Sequence, residues 1–187
     1  MAFKCVMVSS SNHVLARYYQ NMKVWHEDEA FWKMTAPFMF DEKRWNMTSE
    51  QVTRFIRLLR MKRGMKVLDL CCGPGRISLE LARRGYDVVG IDHMEHALHY
   101  ARKRARAEKL SCTFVRGDMR SFRQLDTFDI VFNIFTSFGY FKDQRQNTKV
   151  LKNMYHSLKP GGKVLMEIMS RERLKQIFSS KNWEEKD

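Results

Sequence analysis

Val67-Leu68-Asp69-Leu70-Cys71-Cys72-Gly73-Pro74-Gly75-Arg76 is the stretch on which the fold turns. A short apolar run carrying one carboxylate breaks into a turn with two glycines. Apolar residues then recur at helical spacing, at Ile77 and Leu81. Strand, tight loop and helix in that order place the loop at the carboxyl edge of a parallel sheet, where open α/β folds bind ligands. Glycines there let the backbone approach a ligand that a side chain would strike. Gly73-x-Gly75 followed by Ser78 is only a weak dinucleotide fingerprint and does not by itself separate one nucleotide cofactor from another.

Outward from this loop, short apolar runs alternate with amphipathic helical stretches. Strands are predicted at Val67-Leu68-Asp69-Leu70, Val88-Val89-Gly90-Ile91, Thr113-Phe114-Val115, Ile130-Val131-Phe132 and Val164-Leu165-Met166-Glu167-Ile168. Each reads as apolar on both faces, as buried parallel strands do. Val52, Phe55, Ile56 and Leu59 mark a helix that Thr48 and Gln51 could open as a capping box. Ile77 and Leu81 mark a second helix, stopped near Gly85, and Ala97, Ala101 and Ala105 a third. Val150, Leu151, Met154 and Leu158 mark a fourth, ended by Pro160-Gly161-Gly162. The repetition predicts a Rossmann-like α/β fold, a doubly wound, mainly parallel sheet, over residues 49–187. Residues 1–48 differ. They hold Tyr18, Tyr19, Trp25, Phe31, Trp32, Phe38, Phe40 and Trp45, and read as an N-terminal helical lid or cap segment.

The 187 residues suit one domain, with a mean hydropathy of −0.50. Their composition, 44% hydrophobic and 29% charged with 3 prolines, excludes a disordered or collagen-like chain. No apolar run is long enough to span a bilayer, and the N-terminus shows no signal-peptide pattern, so a cytoplasmic protein is expected, not a membrane one. The four cysteines (Cys5, Cys71, Cys72, Cys112) have no CxxC spacing, and no metal site is predicted. Net charge is +13, from 34 basic and 21 acidic residues, and raises a polyanionic partner as a first hypothesis. Residues 1–48 contribute 6 basic and 5 acidic residues, so +12 of the +13 lies in 49–187. Clusters fall at 54–66 and 102–109, on helices expected to lie off the reaction mouth.

Three acidic residues narrow the ligand. Asp69, at the end of the first strand, would repel a pyrophosphate and suits a cationic amino group. Asp92, 23 residues later at the end of the second strand, can accept from both ribose hydroxyls. Asp118, after the third strand, is placed for an adenine amino group, with Met119 against the ring. An adenosine with a cationic tail in place of phosphates is S-adenosylmethionine.

With these residues in order, the sequence resembles a class I S-adenosylmethionine-dependent methyltransferase. The matching stretches are Val67 to Arg76, Val89-Gly90-Ile91-Asp92, Gly117-Asp118-Met119, Phe128-Asp129-Ile130-Val131-Phe132-Asn133 and Leu158-Lys159-Pro160-Gly161-Gly162, spanning about residues 49–170. The Asn133 to Phe141 stretch and Trp32 with Ala36-Pro37-Phe38 look like a bacterial and archaeal subgroup of small methyltransferases. The resemblance implies strand order 3-2-1-4-5 and a cofactor site of Asp69, Cys71, Cys72, Gly73, Gly75, Asp92, His93, Asp118, Met119 and Asn133. The substrate-side candidates are Trp32, Phe38, Thr136, Ser137 and Tyr140. Two departures stand out. Cys71 takes the place of the family's first loop glycine, narrowing the space beside the cofactor's methionine part. The strand 6–7 hairpin cannot be read in the roughly 18 residues beyond the fifth strand. That would leave the fifth strand as an edge, so the chain is expected either to be a fragment or to have the edge covered by another subunit, as in a homodimer.

Methyl transfer from a sulfonium is an in-line displacement, in which holding the nucleophile about 3 Å from the methyl carbon does most of the work. A base is needed only if the acceptor must lose a proton. No triad is present, and His26, His93, Glu27, Asp28 and Glu29 qualify by type alone, so no catalytic residue is assigned. A small-molecule acceptor is the leading expectation. RNA is the rival, through the basic helices and Arg120 and Arg123. Asn133-Ile134-Phe135-Thr136 lacks the prolines typical of exocyclic base methylation, and no cysteine follows Cys112 to act in carbon-5 chemistry. A nicotinamide oxidoreductase is disfavoured by Asp69, and a cofactor-binding module without turnover is the remaining alternative.

Overall fold

The computed structural model describes residues 25–177; Tyr18, Tyr19, Cys5 and the terminal Trp183 to Asp187 stretch lie outside the described residues. His26 to Ile168 form one compact unit. Helix α7, Arg171–Ile177, belongs to a separate unit and is preceded by Ser170, whose Oγ accepts from Arg173 N.

The sheet is built from β1 (Lys66–Leu70), β2 (Asp87–Asp92), β3 (Cys112–Arg116), β4 (Phe128–Asn133) and β5 (Leu158–Met166), in the order β3-β2-β1-β4-β5. Every pairing is parallel. Successive side chains on a strand point to opposite faces. Val67, Val88, Ile130 and Phe132 therefore pack on one side with Val52 of α3 (Thr48–Leu59) and Ile77 and Leu81 of α4 (Arg76–Arg83). On that side α5 (Glu95–Ala107) packs Leu98, Ala101 and Ala105 against Phe114. Leu68, Leu70 and Val131 face the other side, where α6 (Gln144–Ser157) supplies Val150 and Met154.

Four sequence expectations are corrected. The outer strands are not apolar on both faces: in β3 only Phe114 is buried, with Val115 exposed, and β5 has no buried residue. In α6, Leu151 is exposed, and Leu158 opens β5 rather than closing the helix. Pro160-Gly161-Gly162 lies inside β5, where the register slips between Phe128 and Ile130. A side chain at Gly162 would stand 2.9 Å from Leu158 Cδ2 and 3.1 Å from Asp129 O, so glycine lets the slip close up. Thr48 and Gln51 form no capping box. Met47 is both the C-cap of the preceding helix (α2, Glu42–Asn46) and the N-cap of α3, Thr48 Oγ1 donates back to Arg44 O, and Gln51 turns to Arg76.

Ahead of α3, Asp28 caps α1 (Glu29–Met39) by accepting from Ala30 N, and Asp41 caps α2 (Glu42–Asn46) by accepting from Arg44 N. These helices and the loop after β4 bring aromatic rings over the carboxyl ends of β1 and β2.

Candidate active site

A cavity of about 570 Å³ opens over those strand ends, well within the size range of small-molecule sites. Its floor is the loop after β1. Cys71 N and Cys72 N both donate to Ile91 O, at 2.7 and 3.0 Å, tying the loop to β2. Cys71, Gly73 and Gly75 all have left-handed φ, of 67°, 54° and 77°. At Cys71 this explains the departure noted in the sequence: a backbone conformation suited to glycine carries a thiol instead. Gly75 admits nothing larger, since a Cβ there would lie 2.9 Å from both Ala101 Cβ and Phe114 Cζ. A Cβ at Gly73 would stand 3.2 Å from the ring of Phe40, which roofs the loop.

The carboxylates converge from three strand ends. Asp69 is buried and accepts from Ser78 Oγ at 2.5 Å. Burial raises its pKa to about 6 against the lowering effect of the Ser78 hydrogen bond. Asp92 accepts from Gly73 N (2.8 Å) through Oδ2 and from Met94 N (2.9 Å) through Oδ1. Asp118 accepts from Arg120 N at 2.7 Å, and from Arg120 Nε at 3.0 Å on Oδ1 and 2.8 Å on Oδ2. Burial would raise its pKa, but these Arg120 contacts hold it below the usual carboxylate value. Burial, reinforced by Asp92, Asp69 and Asp118, pushes the Cys71 thiol well above its ordinary value, so it remains neutral. Its Sγ lies 3.6 Å from Met119 Sδ.

The cover is aromatic. His26 stacks on Tyr140 at 5.4 Å and meets Phe141 edge-on at 5.5 Å. His26 O accepts from Trp32 Nε1 at 3.0 Å and lies 2.9 Å from His93 Nε2. Arg120 spans floor and cover, donating to Glu27 Oε1 at 3.1 Å and lying 4.7 Å over the Phe141 ring. Phe135 and Thr136 are both left-handed, with φ of 64° and 59°, a rare conformation for such side chains. Glu167 holds them there: its O accepts from Thr136 N and its Oε2 from Phe135 N. Phe135 thus faces Phe40 at 6.2 Å.

Of the residues singled out in the sequence, Asp69, Cys71, Cys72, Gly73, Asp92, His93, Asp118, Met119, Trp32, Ser137 and Tyr140 line the cavity. Gly75 stands behind it, in the packing of α4 on α5. Asn133 is fully buried and ties β4 to β1, its Nδ2 donating to Leu70 O at 3.1 Å. Thr136 does not line the cavity, and Phe38 is 59% exposed to solvent away from it. Phe40, two residues on, takes the position over the loop. The site residues named from the sequence omit Phe40, Trp45, Phe135, Arg76 and Arg120, which line the cavity, although Phe40 and Trp45 are read within the lid segment and Arg120 as a residue for RNA. A helical count from Trp32 along α1 would have favoured Met39 and Phe40 over Phe38. The basic helix α5 is not wholly remote either: Tyr100 lines the cavity with Trp45, and Arg104 lies 4.3 Å over the Trp45 ring. Among the described residues, no cluster suited to a metal ion occurs and no helix is long and apolar enough to cross a membrane.

A methyltransferase-domain family model matches residues 67–162, just over half of the chain. The chain belongs to this methyltransferase family. YqeM of Bacillus subtilis (strain 168) is 29% identical to it over 150 residues, 80% of this chain and 60% of that protein. The crystal structure of the PH0226 protein from Pyrococcus horikoshii OT3 is 33% identical with a TM-score of 0.61, covering 73% of this chain and 58% of that one. An S-adenosylmethionine-dependent methyltransferase from Clostridium acetobutylicum ATCC 824 superposes with a TM-score of 0.68 at 19% identity, over 84% of this chain and 64% of that one, a likeness of fold. The methyltransferase chain thus spans about three fifths of the length of these relatives. The family's cofactor is S-adenosylmethionine, and the floor fits it. Carboxylates at the ends of β1 and β2 and after β3 stand where an ammonium, a ribose and an adenine amino group could be met, and left-handed glycines leave the backbone bare between them.

Proposed function

We propose that this chain transfers a methyl group from S-adenosylmethionine to a small-molecule acceptor. The observation that carries the reading is the cover: Trp32, Phe40, Phe135, Tyr140 and Phe141 close an aromatic wall over the carboxylate floor, leaving a cavity of about 570 Å³. A wall of this kind suits an acceptor with a flat or apolar body and excludes water from the reacting centre.

When bound, the cofactor supplies an electrophilic methyl on a sulfonium. The chain's own residues supply placement. Asp69, held by Ser78, accepts a cationic amino group, and Asp92, fixed by two backbone N–H groups, keeps accepting capacity for hydroxyls. Phe40 and Phe135 hold the acceptor against the loop, and the wall keeps it in attacking distance. Ser137 and Tyr140 offer hydroxyls on the acceptor's side. Tyr140, whose phenol is pushed up to about 12 by burial and by the Cys71, Asp92 surroundings, acts as a hydrogen-bond donor and not as a base. An acceptor that is already nucleophilic, such as a neutral amine, a thiolate or a phenolate, suits a site in which Tyr140 takes no proton.

The test is incubation of the protein with methyl-labelled S-adenosylmethionine and cell extract split into small-molecule, RNA and protein fractions. Label in the small-molecule fraction, reduced by Phe135→Ala, supports the proposal. Label confined to RNA would replace it with the nucleic-acid reading, and cofactor binding without label in any fraction would leave a binding module.

A further inference from the structure

The helices α3, α4 and α5, on one face of the sheet, end in the same way. Each closes on a residue in the left-handed region: Arg60 (φ 52°), Gly85 (φ 84°) and Lys109 (φ 52°). The next N–H then reaches back five residues, Met61 N to Ile56 O at 3.0 Å, Tyr86 N to Leu81 O at 3.2 Å and Leu110 N to Ala105 O at 2.9 Å. Glycine is the residue this turn favours, because a Cβ is strained there. Only the middle turn uses it, and a Cβ on Gly85 would stand 3.1 Å from both Nε and Nη2 of Arg63. The Arg63 guanidinium thus lies across the glycine turn, so all three turns carry a cation.

These turns adjoin one another at the amino ends of β1, β2 and β3, the edge of the sheet opposite the cavity. Gly64 N donates to Gly85 O at 2.9 Å, joining the first turn to the second, and Arg83 joins the second to the third through Glu108 at 2.6 and 2.8 Å. Packed helices lie about 8–10 Å apart, so the row is about 20 Å long. The acids along it are already engaged: Glu80 by Arg83 and Arg84, Glu108 by Arg83, and Asp87 by Lys66. Arg60, Lys62, Arg63, Arg106 and Lys109 are exposed and form no ion pair with any described residue. A helix dipole favours cations in the last turn, where Arg57 and Arg106 stand. It does not account for Arg60 and Lys109, which lie beyond the helix ends at positions suited to glycine.

We propose that this row is an anchoring surface for the phosphate backbone of duplex nucleic acid, which is held there without being the methyl acceptor. Each strand of a duplex offers a phosphate about every 3.4 Å of axis, a regular series of anions for a row of unneutralised cations. The three turns expose no large apolar side chain to enter a bilayer and no aromatic ring on which unpaired bases could stack. Leu58, in the last turn of α3, is a single apolar side chain and too little to hold a membrane. Contacts limited to phosphates carry no sequence preference. The row and the cavity lie at opposite edges of one sheet, so a bound duplex leaves the cavity to its small-molecule acceptor.

Fluorescence anisotropy of the full chain with a labelled RNA duplex of about 16 base pairs tests this. A dissociation constant of about 10 μM is expected at about 100 mM salt, with log affinity falling on log salt at a slope of about −4.5 for five contacts. Arg60→Gly with Lys109→Gly removes two charges from positions that favour glycine. The pair should leave Tm unchanged or raised, weaken duplex binding at least tenfold and bring the slope to about −2.7. Lys149→Ala with Lys152→Ala removes two exposed charges from α6, on the other face of the sheet, and should change affinity less than about twofold. Equal losses in the two variants would reduce the effect to net charge and overturn the proposal. So would no duplex binding, retention only on vesicles containing phosphatidylserine, or methyl transfer onto the duplex. Should the glycine pair fail to fold, Lys62→Ala with Arg106→Ala makes the same comparison through two exposed side chains. S-adenosylhomocysteine binding should be equal in all variants, and absence of a methylated small molecule would leave this surface standing.

Discussion

The loop after β1 and the aromatic cover face each other across one cavity, but they are held by different kinds of interaction. On the floor the loop itself is held by backbone N–H groups, Gly73 N and Met94 N to Asp92 and Cys71 N and Cys72 N to Ile91 O, beside the side-chain pairs Asp69–Ser78 and Asp118–Arg120. On the cover ring contacts lead, His26 on Tyr140 and Phe40 against Phe135, with Arg120 reaching Glu27 and the backbone tie of Thr136 N to Glu167 O behind them. Backbone contacts leave few residue choices, because a left-handed turn demands glycine or a strained substitute. Ring contacts can be remade by many large side chains. The floor should therefore fail abruptly on substitution and the cover gradually.

The floor can be broken outright at Gly75. Gly75→Val puts a β-branched side chain on a left-handed residue where even a Cβ would lie 2.9 Å from Ala101 Cβ and Phe114 Cζ, and should cost about 3 kcal/mol in denaturant unfolding. Asp92→Ala removes an acceptor from two N–H groups and from the ligand. It should weaken S-adenosylhomocysteine binding by about 30-fold, equivalent to about 2 kcal/mol, measured by calorimetry.

A pH titration tests the floor without altering its shape. Asp69 binds its proton with a pKa of about 6 when folded against an ordinary 3.8, so its buried charge is absent at low pH, half present at about pH 6 and nearly complete by about pH 7. Its contribution to stability therefore falls as pH rises from the unfolded to the folded value. Affinity for a cationic amino group runs the other way, falling by about tenfold from pH 7 to pH 5 as only about a tenth of the group stays ionised. Asp69→Asn should remove that component of the dependence. The smallest effects belong to the cover: Phe40→Ala should cost about 1 kcal/mol, and Phe38→Ala should stay within about 0.5 kcal/mol in thermal unfolding. A Phe38→Ala loss as large as that of Phe40→Ala would erase the distinction between lining and solvent-facing rings.

The same contrast explains what could be read from the sequence. All five strands, the strand order implied by the family resemblance, and the floor residues Asp69, Gly73, Asp92 and Asp118 were legible, because strand ends and glycine turns leave local patterns. Phe38 and Phe40 are the same residue type two positions apart, and only the helical period counted from Trp32, continued one residue past the end of α1, tells the lining ring from the solvent-facing one. Phe135 and Thr136 gave no signal of left-handed backbone, since Glu167, 32 residues from Phe135, imposes it. Thr48 and Gln51 fit a capping pattern but were diverted by a helix ending immediately before them and by Arg76, 25 residues beyond Gln51. The β5 slip at Pro160-Gly161-Gly162 looked like a helix stop because turn chemistry does not say which element the turn interrupts.

The Arg120–Asp118 pair carries a consequence for ionic strength. Both oxygens of Asp118 are engaged by Arg120, and the two side chains are about one-third exposed, 33% and 35%. A ligand amino group that takes Asp118 must compete with this guanidinium. Dissolved salt screens partly exposed pairs over a Debye length of about 8 Å at physiological strength. Salt would thus loosen the internal competitor more than a contact sealed beneath the aromatic cover. Adenosine ligands should then bind more tightly in physiological salt than in dilute buffer, the reverse of the trend expected when a charged site simply attracts its ligand.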